Sequence, residues 1–148
     1  MNEIEAAYVA GILDGEGCFY VERFATANSP IGYQYRIIVT LTMCEKETID
    51  YICSITGKNC HPRHLPSGRI GYKIDWRNSI AGAFIKIILP YLRGKKEQAE
   101  WCLKFEETCS PGRGRTYTPE DGVRCEVIRQ KLKDLKRPPV TPLLISQS

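Results

Sequence analysis

The segment from Tyr33 to Met43 alternates between apolar and mainly polar side chains. Successive side chains of a β-strand point to opposite faces, so this period of two predicts a long strand with one buried face and one solvated face. The apolar side holds Tyr35, Ile37, Val39, Leu41 and Met43. The other side holds Gln34, Arg36, Ile38, Thr40 and Thr42.

The other segments complete a predicted α+β domain. Three further strands are predicted over residues 18–25, 60–65 and 69–77, and helices over 3–13, 45–55, 78–90, 97–108 and 118–135. Asn78 or Ser79 is expected to cap the third helix, and Thr118, followed by Pro119, Glu120 and Asp121, to start the last. Turn residues at 28–32 and 66–68 join the strands as two hairpins. We therefore expect one four-stranded antiparallel sheet with helices packed behind it and its other face open to solvent. Residues 1–137 are predicted to form a single domain, followed by a Pro-rich tail over 138–148.

The charge of the chain is unevenly distributed around a net value of +4. Residues 1–17 carry acids but no Lys or Arg, whereas residues 58–77 carry basic side chains against the single acid Asp75. This pattern favours a polyanionic partner and a separate cation-binding point. No apolar run approaches the roughly 20 residues of a membrane helix, and the acidic N-terminus does not resemble a signal peptide. We expect an intracellular protein with no membrane partner, in the cytoplasm of a prokaryote or in a chloroplast or mitochondrion.

The seven cysteines are scattered and form no CxxC motif. We expect reduced, buried thiols rather than a disulfide framework. Cys53, Cys60, His61 and His64 cluster in sequence, but their spacing matches no common zinc pattern.

The segment Val9–Gly17, VAGILDGEG, joins a run of small and apolar residues to two acids separated by glycine. The apolar run predicts a helix buried on all sides and ended by Gly15 and Gly17. Ala6, Ala7, Ala10 and Gly11 would allow another backbone to approach closely.

This segment resembles the signature of the LAGLIDADG homing endonucleases, which are site-specific DNA-cutting enzymes encoded by introns and inteins. Val9 and Ile12 stand in place of leucines, Gly15 in place of the second alanine, and Glu16 in place of the final aspartate. The resemblance covers about residues 3–109. It implies the family's αββαββα fold, whose antiparallel sheet forms a DNA-binding saddle.

A single copy of the motif implies the homodimeric branch of the family. Two copies of the chain would pack by their first helices, with Ala7, Ala10, Gly11 and Asp14 near the two-fold axis. The partners implied are therefore a second copy of the chain and a long, pseudo-palindromic double-stranded DNA site.

The resemblance also implies the catalytic groups. Glu16 would be a catalytic metal ligand, with the Gly15 carbonyl as a second ligand, for Mg²⁺ that Mn²⁺ or Ca²⁺ can replace in binding. Lys95 aligns with the family's basic residue near the active centre, with Lys96 as the alternative. Glu45 would touch the catalytic water network, or Lys46 if the register slips by one. Asp14 is expected to have a structural role rather than to be a ligand.

The polar sheet face supplies candidate DNA contacts. Its hydrogen-bonding side chains are of the types that read base edges in the major groove. They are Tyr20, Glu22, Gln34, Arg36, Thr40, Thr42, His61, Arg63, Arg69, Lys73, Asp75 and Arg77. The function implied is a divalent-metal-dependent, site-specific DNA endonuclease. The alternatives are an intron RNA maturase, a non-cleaving DNA-binding protein on the same scaffold, and an interaction domain without a nucleic-acid role.

Overall fold

A four-stranded antiparallel sheet, with helices against one face, organises the molecule. The computed structural model describes residues 1–109 and 116–137, so the predicted tail at 138–148 lies outside the described residues. The elements are α1 (Glu3–Glu16), β1 (Gly17–Ala25), β2 (Tyr33–Met43), α2 (Lys46–Thr56), β3 (His61–His64), β4 (Ile70–Arg77), α3 (Asn78–Ile88), a 3₁₀ turn (Leu89–Tyr91), α4 (Lys96–Thr108) and α5 (Pro119–Leu135). The predicted fold class and element order are confirmed. None of the described helices combines the length and apolar character needed to span a membrane.

The strands lie in the order β1-β2-β4-β3. Gly17 of β1 pairs with Leu41, and Met43 of β2 pairs with Tyr72 of β4. The start of β1, the end of β2 and the β3–β4 turn therefore lie at one end of the sheet, called here the Glu16 end because α1 delivers Glu16 there. The β1–β2 turn lies at the opposite end.

The helix-facing side of the sheet forms the core. Phe19, Val39, Ile74 and Trp76 are at most 2% exposed, as the period of two predicts. Trp76 stacks on Phe84 of α3 with ring centroids 4.1 Å apart and ring planes 2° apart. This packing joins the centre of the sheet to the helical layer.

One apolar side chain is buried on the opposite side of the sheet. Ile38 is 2% exposed, although the strand register places it on the outer face between Tyr20 and Arg77. The outer face is therefore polar around a small apolar centre rather than polar throughout.

The end of α1 differs from its prediction. The helix continues through Gly15 to Glu16, and Gly17 caps it with an extended backbone, φ −83° and ψ 164°. A Cβ at Gly17 would lie 2.5 Å from the Leu13 Cδ2 atom and 2.8 Å from the Leu13 oxygen. Close approach of β1 to the last helical turn, rather than a left-handed backbone, therefore explains this glycine.

The surface of α1 also differs from its prediction, because the helix is not buried on all sides. Ala6, Val9, Ala10 and Leu13 are buried in the core, whereas Ile4 is 82% exposed. Ala7, Tyr8 and Gly11 share the exposed side with it. The run at 6–13 concealed this division, because between the acids at the two ends of the helix it provides no polar face from which to read the orientation.

The start of α3 corrects a second prediction. Asn78 or Ser79 was expected to cap the helix, but the cap position is Arg77 and its side chain makes no capping hydrogen bond. Asn78 is instead the first helical residue, with φ +54°, a region that Asn tolerates better than most residues. The chain thus turns sharply from β4 into α3.

The cysteines are free thiols, as expected, but they are not all buried. Cys102, Cys109 and Cys125 are buried, and burial raises the pKa of the Cys102 thiol to about 12. The other four cysteines are partly exposed. No group of three or more His, Cys, Asp or Glu residues within the described ranges could hold a metal ion.

We predict that Gly17→Ala destabilises the protein by about 1–3 kcal/mol, because the added methyl group collides with the backbone of Leu13. Gly94→Ala is the matched control, since its Cβ would meet only an Asp14 oxygen, at 3.9 Å. Urea unfolding of both variants at one protein concentration measures the difference in the free energy of unfolding. An equal loss in the two variants would contradict the close approach at Gly17.

Candidate nucleic-acid interface

The outer face of the sheet collects the polar side chains that the sequence assigned to DNA contact. The strand register places all of them except Arg69 on this face. They are Tyr20, Glu22, Gln34, Arg36, Thr40, Thr42, His61, Arg63, Lys73, Asp75 and Arg77. Arg69 immediately precedes β4, in the turn at the Glu16 end.

Arg36 and Glu22 are paired across β1 and β2. The Arg36 Nε atom donates to a Glu22 carboxylate oxygen at 2.5 Å, and the guanidinium lies 4.6 Å from the centroid of the Phe24 ring. Both residues were proposed to contact bases independently, but here each holds the other in place. Directly opposite charges in an antiparallel pair are the sequence signal for this contact.

Asp75 anchors two basic side chains on the same face. Its carboxylate lies 3.2 Å from the Lys73 Nζ atom and 3.0 Å from an Arg77 guanidinium nitrogen, and its side chain is only 15% exposed. Burial acts to raise the pKa of Asp75, but the Thr40 hydroxyl and these two cations outweigh it and lower that pKa. Asp75 therefore remains ionised, with its charge compensated by Lys73 and Arg77.

Asp14 binds the loop that precedes α4. Its two carboxylate oxygens accept the backbone N–H groups of Arg93 at 2.9 Å and Lys95 at 3.0 Å. This arrangement agrees with the structural role predicted for Asp14.

Lys95, in the loop before α4, binds the end of α1 in return, and these contacts together with those of Asp14 form the junction between α1 and that loop. The Lys95 Nζ atom donates to the carbonyl oxygens of Leu13 at 3.0 Å and Gly17 at 2.6 Å. The Leu13 carbonyl also accepts the Gly17 N–H that caps α1, so Lys95 adds a second hydrogen bond to it, and a cation at a helix C-terminus interacts favourably with the helix dipole. Lys95 thus lies beside the predicted active centre, with its ammonium bound to backbone oxygens, while the alternative Lys96 is exposed.

Glu16 and Gly15 are both exposed at the end of α1. The Gly15 carbonyl is among the last four of the helix, which helical hydrogen bonding leaves open. A carboxylate and a backbone carbonyl are the oxygen donors that Mg²⁺ and Ca²⁺ accept, and the negative end of the helix dipole favours a cation. The residues therefore fit a divalent metal, although one chain supplies only part of a coordination shell.

Glu45 lies near the same end of the sheet, because it follows β2 and precedes α2. Its carboxylate accepts a hydrogen bond from the Thr48 hydroxyl at 3.0 Å. Lys46, the alternative to Glu45, is instead paired with Asp50 at 2.6 Å on the surface of α2.

The exposed side of α1 forms an apolar strip, defined here as Ile4, Ala7, Tyr8 and Gly11 and called the α1 strip. Tyr8 packs edge-on against Tyr51 of α2, with centroids 5.5 Å apart. Ala7 and Gly11 are placed as expected for a contact with another helix. Ala10, expected at the same contact, is 0% exposed, because it lies on the flank of the helix that packs into the core of its own chain.

The chain resembles solved structures of homing endonucleases over most of its length. I-CvuI in complex with a DNA target matches with a TM-score of 0.73 and 19% identity, over 90% of this chain and 82% of that one. The archaeal intron-encoded I-Vdi141I, complexed with DNA, matches with a TM-score of 0.72 and 15% identity, over 90% and 84%. I-TnaI matches with a TM-score of 0.65 and 20% identity, over 89% and 93%.

A longer protein matches over part of its length. The meganuclease I-SmaMI bound to DNA has a TM-score of 0.67 and 16% identity, over 84% of this chain and 43% of that one. No protein-family model and no curated protein matches the sequence. The structural similarity over most of the chain establishes the fold, and the fold expected from the nine-residue motif is confirmed.

We predict that Asp14→Ala lowers the free energy of unfolding by about 1.5–3 kcal/mol, because two backbone N–H groups lose a charged acceptor. Glu16→Ala removes a carboxylate from the same helix end and should change stability by less than about 0.5 kcal/mol, since Glu16 is exposed. Urea unfolding of both variants tests the distinction. Equal effects would show that Asp14 does not hold this junction.

Proposed function

We propose that this chain, which has the LAGLIDADG homing-endonuclease fold, is a sequence-specific endonuclease that cuts both strands of a long, pseudo-palindromic DNA site. The observation that carries the proposal is the exposed Glu16 carboxylate. It lies at the end of α1, where the helix that bears the exposed α1 strip passes directly into the polar-faced sheet. The solved structures of I-CvuI and I-Vdi141I are complexes with DNA, which supports a DNA partner for the same sheet here.

The α1 strip supports assembly as a homodimer. It leaves Ile4 82% exposed, and a Cβ at Gly11 would meet nothing within 4 Å, so a second helix has room to approach. Packing two strips about a two-fold axis would bury this apolar surface and bring two copies of Glu16 together. The match of this chain to less than half of I-SmaMI is consistent with one chain supplying half of a complete enzyme.

The sheet dimensions indicate the length of DNA that each copy would cover. A strand of 9 residues, such as β1, spans about 30 Å, which corresponds to about nine base pairs of B-form DNA. In the dimer, Thr42, Lys73 and Arg69 would face base pairs near the centre. Gln34 and Arg36 would face the outer part of each half-site, since they lie toward the β1–β2 turn.

The end of α1 would supply the catalytic centre. Glu16 and the Gly15 carbonyl would hold a divalent cation such as Mg²⁺, which activates water and stabilises developing charge on phosphate oxygens when bound. Lys95 would act as a positioning residue, because it fixes the carbonyls that flank this metal site. Glu45, at the same end of the sheet, would orient water at the edge of the centre.

We predict that Glu16→Gln lowers DNA cleavage by a factor of about 10² or more, comparable to removing one electrostatic stabiliser from an active site. DNA binding should stay equal or become tighter, because a negative charge is removed near the phosphates. The measurements are cleavage in Mg²⁺ of a plasmid that carries the DNA site selected by this protein from random-sequence DNA, called the selected site, and gel-shift binding of the same site. Glu100→Gln on the exposed side of α4 is the control. Undiminished cleavage by Glu16→Gln would refute the assignment.

We predict that Gly11→Ala weakens self-association while leaving each chain folded. Within one chain the methyl group meets nothing within 4 Å, and alanine favours the helix by about 1 kcal/mol. Between two closely packed helices, the same methyl group would separate the backbones. Sedimentation velocity over a concentration series, with Gly94→Ala as the control, measures the dimer fraction. A wild-type chain that stays monomeric at every concentration would contradict the homodimer.

A further inference from the structure

A cavity of about 530 Å³ opens beside the free edge of β4. β3 first pairs with β4 at His61 and Lys73, so within the described residues the following part of β4, through Arg77, has no strand partner on that side. The loop at 57–59 and the start of α3 border the resulting gap. We call this cavity the β4-edge pocket.

Cationic groups line the β4-edge pocket. Lys58 and Arg77 contribute positive charge, and His61 contributes a further hydrogen-bonding ring. Among the described residues, no carboxylate lies within 4 Å of the Lys58 Nζ atom. Arg77 donates one hydrogen bond to Asp75 and is 47% exposed, so most of its five N–H donors stay open to a ligand.

Asp75, the one carboxylate among the lining residues of the pocket, does not prevent an anion from binding there. Asp75 is already bound to Lys73 and Arg77, so its charge is compensated from within the sheet. Its contact also fixes the orientation of the Arg77 guanidinium at the mouth of the pocket. The excess charge facing the cavity is therefore positive.

The backbone of α3 adds donors to this wall. The Arg77 cap position makes no side-chain capping bond, so the first N–H groups of α3 lack a side-chain acceptor there. Asn78, with φ +54°, makes the sharp turn from β4 into α3, and Asn78 and Ile80 of the first helical turn line the pocket. Together with Lys58 and Arg77, these N–H groups form a surface suited to a phosphate group.

We propose that the β4-edge pocket binds a backbone phosphate of the DNA duplex and thereby sets how the duplex lies on the sheet. The inference rests on the proposed DNA-binding function. It adds Lys58 to the candidate DNA contacts, and it assigns Arg77 and His61, which are already among those candidates, to a phosphate rather than to a base edge. Phosphate contacts fix orientation but carry no sequence information. Lys58 is therefore a positioning residue for every DNA sequence.

The salt dependence of binding tests this inference. For wild type and Lys58→Gln, the affinity for a labelled random-sequence duplex and for the selected site is measured by fluorescence anisotropy over a salt series. Loss of one phosphate contact reduces the slope of log K against log salt by about 0.9. Lys58→Gln should show this reduction on both duplexes and weaken both to the same extent.

Two variants control for charge and folding. Lys104→Gln removes the same charge from α4, on the helical side of the sheet, where the ammonium lies over the Trp101 ring, and should leave the slope unchanged. Lys58→Arg should retain the wild-type slope. Urea midpoints confirm that all variants are folded.

The outcomes separate this inference from the proposed function. An unchanged slope in Lys58→Gln, or a loss confined to one DNA sequence, overturns the pocket assignment while leaving DNA binding intact. Calorimetry with inorganic phosphate supplies a second arm: saturable binding that Lys58→Gln abolishes, without any change in the DNA slope, would assign the pocket to a free anion instead. A wild-type protein with no salt-dependent DNA binding would contradict the proposed function itself.

Discussion

The junction between the end of α1 and the loop before α4 fixes the geometry on which the candidate active centre depends. Asp14 accepts two backbone N–H groups of that loop, and the Lys95 ammonium returns two hydrogen bonds to carbonyls of α1 and β1. The acid thus satisfies two N–H groups of the loop, and the base ties the end of α1 to the start of β1 through their carbonyl oxygens. As a result, Glu16 is held at the surface while its neighbours are tied to the core.

This junction also accounts for the direct step from helix to strand. α1 ends at Glu16 and β1 begins at Gly17 without an intervening loop, so the direction of the helix and the register of the sheet are coupled. A side chain at position 17 would push β1 away from Leu13. The glycine and the Asp14–Lys95 contacts therefore act together to orient Glu16 relative to the outer sheet face.

The sequence predicted the fold well where one physical signal dominated. The period of two gave β2 with its observed bounds, and the Thr118 cap with Asp121 gave the start of α5. It failed where the signal was ambiguous. The apolar middle of α1 did not reveal which side of the helix faces solvent. Ala10 was therefore expected at the contact with a second chain, although it is buried in its own chain. Asn78 looked like a helix cap, but the left-handed turn it makes depends on how β4 meets α3.

The candidate site was predicted by residue type more reliably than by interaction. The motif located Glu16, Gly15 and Asp14 at one helix end, and the family resemblance placed Lys95 near them, but neither could show that the Lys95 ammonium binds backbone carbonyls. Lys58 was counted in the basic stretch at 58–77 but was not singled out as a DNA contact, because a lysine in a loop has no face pattern that assigns it a role. Only the missing β3 pairing beside the last part of β4 makes its surroundings a cavity.

Ion pairs within the sheet restrict the charged side chains of the outer face in the free chain. Glu22 holds Arg36, and Asp75 holds Lys73 and Arg77, so several long side chains are already restricted. Ordering such side chains on binding costs about 0.5–1.5 kcal/mol each, and a pre-ordered face avoids part of that cost. The same pairing limits how many cations remain for phosphates, since each acid compensates a base. A duplex on this face would therefore depend for electrostatic attraction on basic groups without acidic partners, and Lys58 lies at the edge of the sheet where such a group can reach the DNA backbone.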